Sequence, residues 1–332
     1  MMDEKLQSFL LRSGLIQDAD TPVVETLPGG VSSDIWVVRT SQRAFCVKRA
    51  LPTLKTQKAW HAPIERNANE VKWIRTAMTV VPKSVPKILA EDSKFGIFAM
   101  EYLDPNTYPI WKAQLLEGVI EPQTAGAVGT LLGQIHANTA HNADIAKSFA
   151  NDDIFHALRI EPYLLRTAKE WPEIAHKLEE MAINIARTKF TLVHGDISPK
   201  NILIGPEGPV LLDAECAWYG DPAFDLAFCL NHLVLKSVLR PIYLNLYMES
   251  FANLAAQYLP HVGWEDPEDL ERRTAKLLPA LMLARIDGAS PVEYLTGKEE
   301  KEFVRKLARR AILKPHTKLT GIAQMVKDES TV

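Results

Sequence analysis

Asp196, Asn201 and Asp213 are oxygen-bearing side chains placed at the ends of short apolar runs, and their spacing gives this sequence its chemistry. Leu192 and Val193, then Ile202 to Ile204, then Val210 to Leu212 are apolar and β-prone, which predicts three short buried strands bracketing two polar turns. The polar groups then emerge where the strands end. Asp196 and Asn201 are five positions apart, and Asp213 closes the next strand, where it can reach the same point. A carboxylate so placed can orient an attacking hydroxyl and accept its proton. An amide oxygen and a second carboxylate are hard ligands that hold Mg2+ against phosphates. Phosphoryl transfer needs those types, with Asp196 as base and Asn201 and Asp213 as metal ligands. A lone Asp-x-x-x-x-Asn carries little, because Asp, Asn, Pro and Gly form turns for local reasons. The surrounding string carries more.

That string is His194-Gly-Asp-Ile-Ser-Pro-Lys-Asn201, followed by Leu212-Asp-Ala-Glu-Cys-Ala-Trp-Tyr-Gly-Asp-Pro-Ala-Phe-Asp-Leu-Ala227. It resembles the aminoglycoside phosphotransferase and choline kinase family of small-molecule kinases, and the resemblance runs by motif from about Leu27 to about Leu235. The separation of Asp196 from Asn201 is that of base and metal ligand in the kinase catalytic loop. Ser198 stands where protein kinases carry Lys, and the triplet after the hairpin is Asp213-Ala214-Glu215. Both departures lead toward small-molecule kinases, and no Ala-Pro-Glu closes an activation segment. The resemblance implies a protein-kinase-like α+β fold with a small antiparallel sheet lobe over residues 1–103 and a larger, mainly helical lobe over 104–332. It also implies MgATP in the cleft and a small-molecule acceptor: an aminoglycoside, an amino alcohol or a sugar-like alcohol. The alternative is a non-catalytic kinase-like nucleotide-binding module, which would have no need of all three polar residues.

The elements that must position this centre read as follows. Val23–Leu27 and Ile35–Arg39 are strands around a tip containing Gly29, Gly30, Ser32 and Ser33, whose backbone N–H groups and hydroxyls can approach phosphate oxygens. In Ala44–Arg49, alternation puts Phe45 and Val47 on one face and Cys46 and Lys48 on the other. The kinase template gives such a lysine to the nucleotide phosphates and to a helix glutamate. An amphipathic helix over Pro63–Met78 offers Glu70 as that partner, with Glu65 in reserve. Phe95–Leu103 reads as a strand whose end, by resemblance, is the hinge. There the backbone of Glu101, Tyr102 and Leu103 meets adenine, with Met100 behind the ring.

Beyond Pro109 the pattern is helical. Ala125–Ala140 interleaves Gly126, Gly129 and Gly133 with Val128, Leu131, Leu132 and Ile135, a close-packing helix in which His136 is a core residue. Helices are expected over 162–169, 172–189, 240–258, 267–286 and 298–313, with 314–332 a loosely held tail. Tyr219 to Asp225 reads as a loop leading into an apolar helix; the resemblance implies that Asp225 accepts hydrogen bonds from the catalytic-loop backbone, and Asp221 is expected to cap that helix. The acidic run Asp266, Glu268, Asp269 and Glu271 reads as a solvated helix start, and Arg285 as a possible acceptor contact.

Composition bounds the rest. A chain of 332 residues exceeds one simple core and favours two lobes. A net charge of −3 and a pI near 6.3 argue against general nucleic-acid or membrane-surface binding. Cys46, Cys216 and Cys229 lack disulfide or zinc spacing, which fits a reducing cytoplasm. No basic-then-apolar leader opens the chain, and the apolar run from Ala223 to Leu235 is interrupted by Asp225, Asn231 and His232. Oligomeric state is not legible.

Overall fold

The computed structural model describes residues 3–27, 32–53 and 63–330. Helix α1 (Glu4–Arg12) precedes strands β1 (Val23–Thr26), β2 (Ser33–Arg39) and β3 (Ala44–Ala50); helix α2 (Arg66–Met78) then leads to β4 (Ile88–Asp92) and β5 (Ile97–Glu101). The strands form one antiparallel sheet in the order β1-β2-β3-β5-β4. Its two faces follow the alternation of β3. Phe45 and Val47 pack with Leu6, Phe9 and Leu10 of α1, each burial contributing roughly 1.5–3 kcal/mol. Cys46 packs on the other face with Val71 of α2 and with Met100, and Lys48 emerges there.

Two boundaries differ from expectation. Helix α2 begins at Arg66 rather than Pro63, and β5 begins at Ile97, because Gly96 takes a left-handed φ of 58° that ends the turn carrying Phe95. Helix α2 also serves both halves of the molecule. Its Val71 belongs to the sheet's core, whereas Trp73, Ile74 and Ala77 join the core of the helical half.

The remainder is mainly helical: α3 (Trp111–Glu117), α4 (Pro122–Thr139), α5 (Ala143–Ser148), α6 (Asp152–Phe155), a π-helical stretch (His156–Leu165), α7 (Arg166–Glu170) and α8 (Ala175–Arg187). After the strands β6 (Thr191–Val193), β7 (Ile202–Gly205), β8 (Gly208–Leu211) and β9 (Trp218–Gly220) come α9 (Ala223–Leu239), α10 (Leu244–Tyr258), α11 (Pro267–Asp287), α12 (Lys298–Leu313) and α13 (Leu319–Ser330). The whole is a two-lobed α+β fold. Helix α4 approaches α10 through its small residues: a Cβ added to Gly129 would lie 2.2 Å from the Leu254 carbonyl oxygen. Helix α9 is buried along nearly its whole length.

Three expectations are corrected. Residues 314–332 are not a loose tail: α13 buries Leu319, Ile322, Met325 and Val326, and the Glu271 carboxylate accepts the Leu319 N–H at 2.9 Å. Segment 162–169 is not a plain helix start, since Pro162 sits inside the π-helical stretch. Trp218–Gly220 is a strand paired with β6, not loop. The acidic run is a helix start as read, except that Glu271 is buried rather than solvated: Asp266 caps α11, Glu268 and Glu271 pair with Lys318, and Asp269 pairs with Arg272. Among the described residues, no helix is long and apolar enough to cross a membrane.

Candidate active site

Two pairs of strands fix the polar residues. β6 pairs with β9, the β7–β8 hairpin lies within that excursion, and the Leu212 N–H donates to the Asn201 carbonyl at 2.9 Å, tying the hairpin's two ends together. Gly195 turns the chain out of β6 with φ 79°, and a Cβ there would come within 2.7 Å of the Cys216 carbonyl oxygen, so glycine is required. From below, the fully buried Asp225 of α9 accepts the His194 N–H at 2.7 Å and the Gly195 N–H at 2.9 Å. His136, 3.3 Å from the same carboxylate and 2.8 Å from the Tyr258 hydroxyl, is a core histidine. His194 links the two loops: its Nε2 donates to the Leu212 carbonyl at 3.1 Å, and its Nδ1 accepts the Asp196 N–H at 3.2 Å. Burial lowers its pKa, which keeps the ring neutral in this bridge. The Trp73 ring packs edge-on against it at 4.7 Å.

Asp196 is 6% exposed and carries its partners on one oxygen. Asn201 Nδ2 at 2.9 Å, Arg159 Nη2 at 3.2 Å and Lys200 Nζ at 3.2 Å all meet Oδ2. Burial pushes this carboxyl's pKa up, but Lys200 and Arg159 outweigh burial and hold it below the usual carboxylate range. It is an anion at neutral pH, and among the described residues no hydrogen bond is made to Oδ1. Arg159 also donates to the Gly195 carbonyl through Nε. No sequence motif marks Arg159. It comes from the π-helical stretch, whose widened turn re-aims side chains in a way that periodicity does not reveal. Sequence reasoning also missed Lys200; its place four residues after Asp196 is the signal that could have found it.

Across the cleft, Lys48 Nζ lies 2.6 Å from Glu70 and also contacts Asp213. Glu65, the reserve partner, makes no such bond. Burial opposes the charge on Lys48, yet Asp213 and Glu70 outweigh it and raise its pKa, so the ammonium is retained. Asp213 is pulled far down by Lys48 despite its own burial, whereas burial pushes Glu70 up. Asp213 has a left-handed backbone with φ 67°, which Asp tolerates better than most residues at a cost of order 1 kcal/mol. Its neighbour Glu215 pairs at 3.1 Å with the buried Arg66, which also donates to the Ser32 carbonyl at 2.5 Å and the Leu51 carbonyl at 2.6 Å.

Gly29 and Gly30 lie outside the described residues. Ser32 and Ser33 are buried at the start of β2, and the Ser33 hydroxyl has no protein partner. Met100 is 9% exposed beside Cys46 and Val71. Glu101 pairs in the sheet with Phe45 and its N–H donates to Lys87. Tyr102 lies under the Arg39 guanidinium, 4.9 Å from its ring centroid, and Leu103 is half-buried. Asp221 accepts the Ala223 N–H at 3.0 Å and is also gripped by Arg273.

The donor set fits a small hard cation held with phosphates. Among the described residues, no cluster of three or more His, Cys, Asp or Glu side chains forms a metal cage. Mg2+ bound largely by water and substrate phosphates needs only one or two protein oxygens. Asn201 commits its Nδ2 to Asp196, which leaves its amide oxygen as a ligand, and the Asp213 carboxylate is 28% exposed. The orphaned hydroxyls of Ser33 and Ser198 are further polar groups suited to a phosphate-bearing ligand.

Comparison with known proteins matches this architecture. The chain is 24% identical to a methylthioribose kinase of Geobacillus thermodenitrificans over 270 residues, covering 73% of this chain and 67% of that one. It is 25% identical to a methylthioribose kinase of Yersinia pseudotuberculosis, covering 57% of this chain and only 53% of that protein's length. The solved structure of the amicoumacin kinase hAmiN, in complex with AMP-PNP, Ca2+ and Ami, superposes with a TM-score of 0.57 at 13% identity, covering 96% of this chain and 95% of that one. The family model of the phosphotransferase enzyme family, APH, matches residues 23–260, and the chain belongs to that family.

Proposed function

We propose that the chain is an ATP- and Mg2+-dependent kinase that phosphorylates a hydroxyl of a small molecule, with Asp196 as the base. The observation that carries this reading is the arrangement on Asp196: three donors occupy Oδ2 and leave Oδ1 for an incoming hydroxyl. The acceptor oxygen bonds to the γ-phosphorus as that phosphorus's bond to ADP breaks, and the hydroxyl proton passes to Oδ1. A loose transition state asks for little basicity, so an ionised carboxylate with a lowered pKa suffices to orient the nucleophile. Mg2+ held by Asn201 and Asp213 supplies charge neutralisation on the phosphates when bound. Lys48, fixed by Glu70, adds a second positive charge there, and Arg159 keeps Asp196 aimed. Gly29, Gly30, Ser32 and Ser33 would cover the phosphates, and Met100 to Leu103 would hold adenine.

The methylthioribose kinases among the relatives put sugar-like alcohols first among acceptors to try. Asp196→Asn should cut turnover roughly a hundredfold or more while sparing MgATP binding. Asp213→Ala should abolish the Mg2+-dependent part of nucleotide affinity. Wild-type-like turnover in the first variant would remove the base, and a wild-type chain that binds no MgATP would remove the kinase reading.

A further inference from the structure

Five lysines and arginines are buried among the described residues: Lys48, Arg66, Arg159, Lys236 and Arg285. Three have a carboxylate within 4 Å: Lys48 has Glu70 and Asp213, Arg66 has Glu215, and Arg159 has Asp196. Lys236 and Arg285 have none among the described residues, although they are only 1% and 9% exposed. The Tyr294 ring lies 4.6 Å from Lys236 Nζ and the Tyr163 ring 5.8 Å from the Arg285 guanidinium, but a ring supplies no full negative charge. A buried charge without a counter-charge is strongly disfavoured, so two such cations on the packed helices α9 and α11 call for a third party.

Their surroundings lead back to Asp196. On α9 the positions 225, 228, 232 and 236 share one face. Asp225 clamps the catalytic loop, and the Phe228 ring lies 5.9 Å from the Arg159 guanidinium that grips Asp196. His232 meets Phe228 edge-on with ring centroids 5.5 Å apart, and Lys236 follows one turn on. Facing them, Arg285 of α11 donates to the Tyr163 hydroxyl at 3.2 Å and the Ser290 hydroxyl at 2.9 Å. The Tyr294 hydroxyl lies 3.4 Å from His232 Nδ1 and 3.5 Å from Lys236 Nζ. His232 Nε2, Arg285 Nε and both amide atoms of Asn231 are buried with no hydrogen-bond partner among the described residues. Glu293, whose charge acts on Lys236, is itself engaged by Lys112, and those two side chains are 64% and 29% exposed.

We infer that the acceptor carries an oxyanion, a carboxylate or a phosphate, and that Lys236, Arg285 and His232 bind it while Asp196 receives the hydroxyl. This rests on the kinase reading above and narrows its substrate class to hydroxy acids or phosphorylated alcohols. Burial, with Lys112 and Arg285 adding to it, lowers the Lys236 pKa to about 7, and His232 is likewise driven down. A bound anion reverses that pressure, so binding above neutral pH takes up a proton.

The test uses acceptors matched in all but charge: glycerate against glycerol, gluconate against glucose, and glycerol 3-phosphate against glycerol, followed by ATP consumption. The carboxylate and phosphate arms separate the two sources of oxyanion. The anionic member should win in kcat/KM by roughly tenfold or more, and Lys236→Met or Arg285→Gln should raise acceptor KM by a similar factor with the KM for MgATP unchanged. Equal or better turnover of the neutral members overturns the inference and leaves the kinase reading intact; absent MgATP binding overturns the reading itself. Thermal melting decides the case without turnover. Without added anion, Lys236→Met should melt higher than wild type, because an uncompensated charge is gone. Phosphate or malonate, against chloride at matched ionic strength, should stabilise the wild type and not the variant. A variant that melts lower, or equal stabilisation of both proteins, overturns the anion site.

Discussion

Asp225→Asn isolates the clamp beneath the catalytic loop. The substitution keeps the side chain's shape and removes one acceptor. In the wild type, Oδ2 receives the His194 N–H at 2.7 Å and Oδ1 the Gly195 N–H at 2.9 Å, in a fully buried setting. An asparagine must turn its amide nitrogen toward one of these N–H groups, so one backbone donor loses its partner and faces another donor. Loss of a charge-assisted hydrogen bond is worth about 1.5–3 kcal/mol, and a stranded buried N–H costs about 1–3 kcal/mol. Together they put the expected loss at roughly 2.5–6 kcal/mol. Guanidinium unfolding followed by near-UV circular dichroism should register it in the helical lobe. Turnover should fall further than stability predicts, because Gly195 precedes Asp196, the proposed base, and an ångström of displacement at such a group costs about a hundredfold. A variant within about 1 kcal/mol of wild type would refute the clamp.

Three further outcomes are expected. Gly129→Ala forces α4 and α10 apart, since the new Cβ would sit 2.2 Å from the Leu254 carbonyl oxygen; a net loss of about 1–3 kcal/mol should outweigh the gain in helix propensity, and an unchanged melting temperature would contradict the packing. Ile322→Ala should cost about 2–4 kcal/mol, because Ile322 is fully buried in α13; a shift under about 0.5 kcal/mol would restore the picture of a loose tail. For pH, Lys236 is charged in the unfolded chain up to about 10.5 but only to about 7 when folded. The unfolded state therefore binds the extra proton between those values, the folded state is penalised most below pH 7, and Lys236 makes stability rise with pH across that window. The slope is at most about 1.4 kcal/mol per pH unit. Denaturation midpoints of wild type minus Lys236→Met from pH 6 to 10 measure it, and a flat difference would show that Lys236 does not titrate there.

Much of the architecture was legible because it rests on local pattern. The alternation of β3 sent Lys48 to the α2 face, and helical spacing put Glu70 within reach. Asp225 was readable through the resemblance carried by the run Gly220-Asp-Pro-Ala-Phe-Asp225. What escaped depends on contacts that spacing does not encode. Arg159 reaches Asp196 only through a π-helical turn. β9 is three residues of Trp-Tyr-Gly whose pairing with β6 is purely long-range. The C-terminal segment reads as polar until α10, α11 and α12 supply the surface that its Leu319, Ile322, Met325 and Val326 cover.

The chain between β6 and β9 departs from and returns to one ladder of three residue pairs. Everything from His194 to Ala217 is thus a single closed detour whose integrity is shared. Amide protons across it should exchange with solvent in step rather than segment by segment. New residues would be accommodated at one place, the outward tip at Pro206 and Glu207, where the β7–β8 turn meets water.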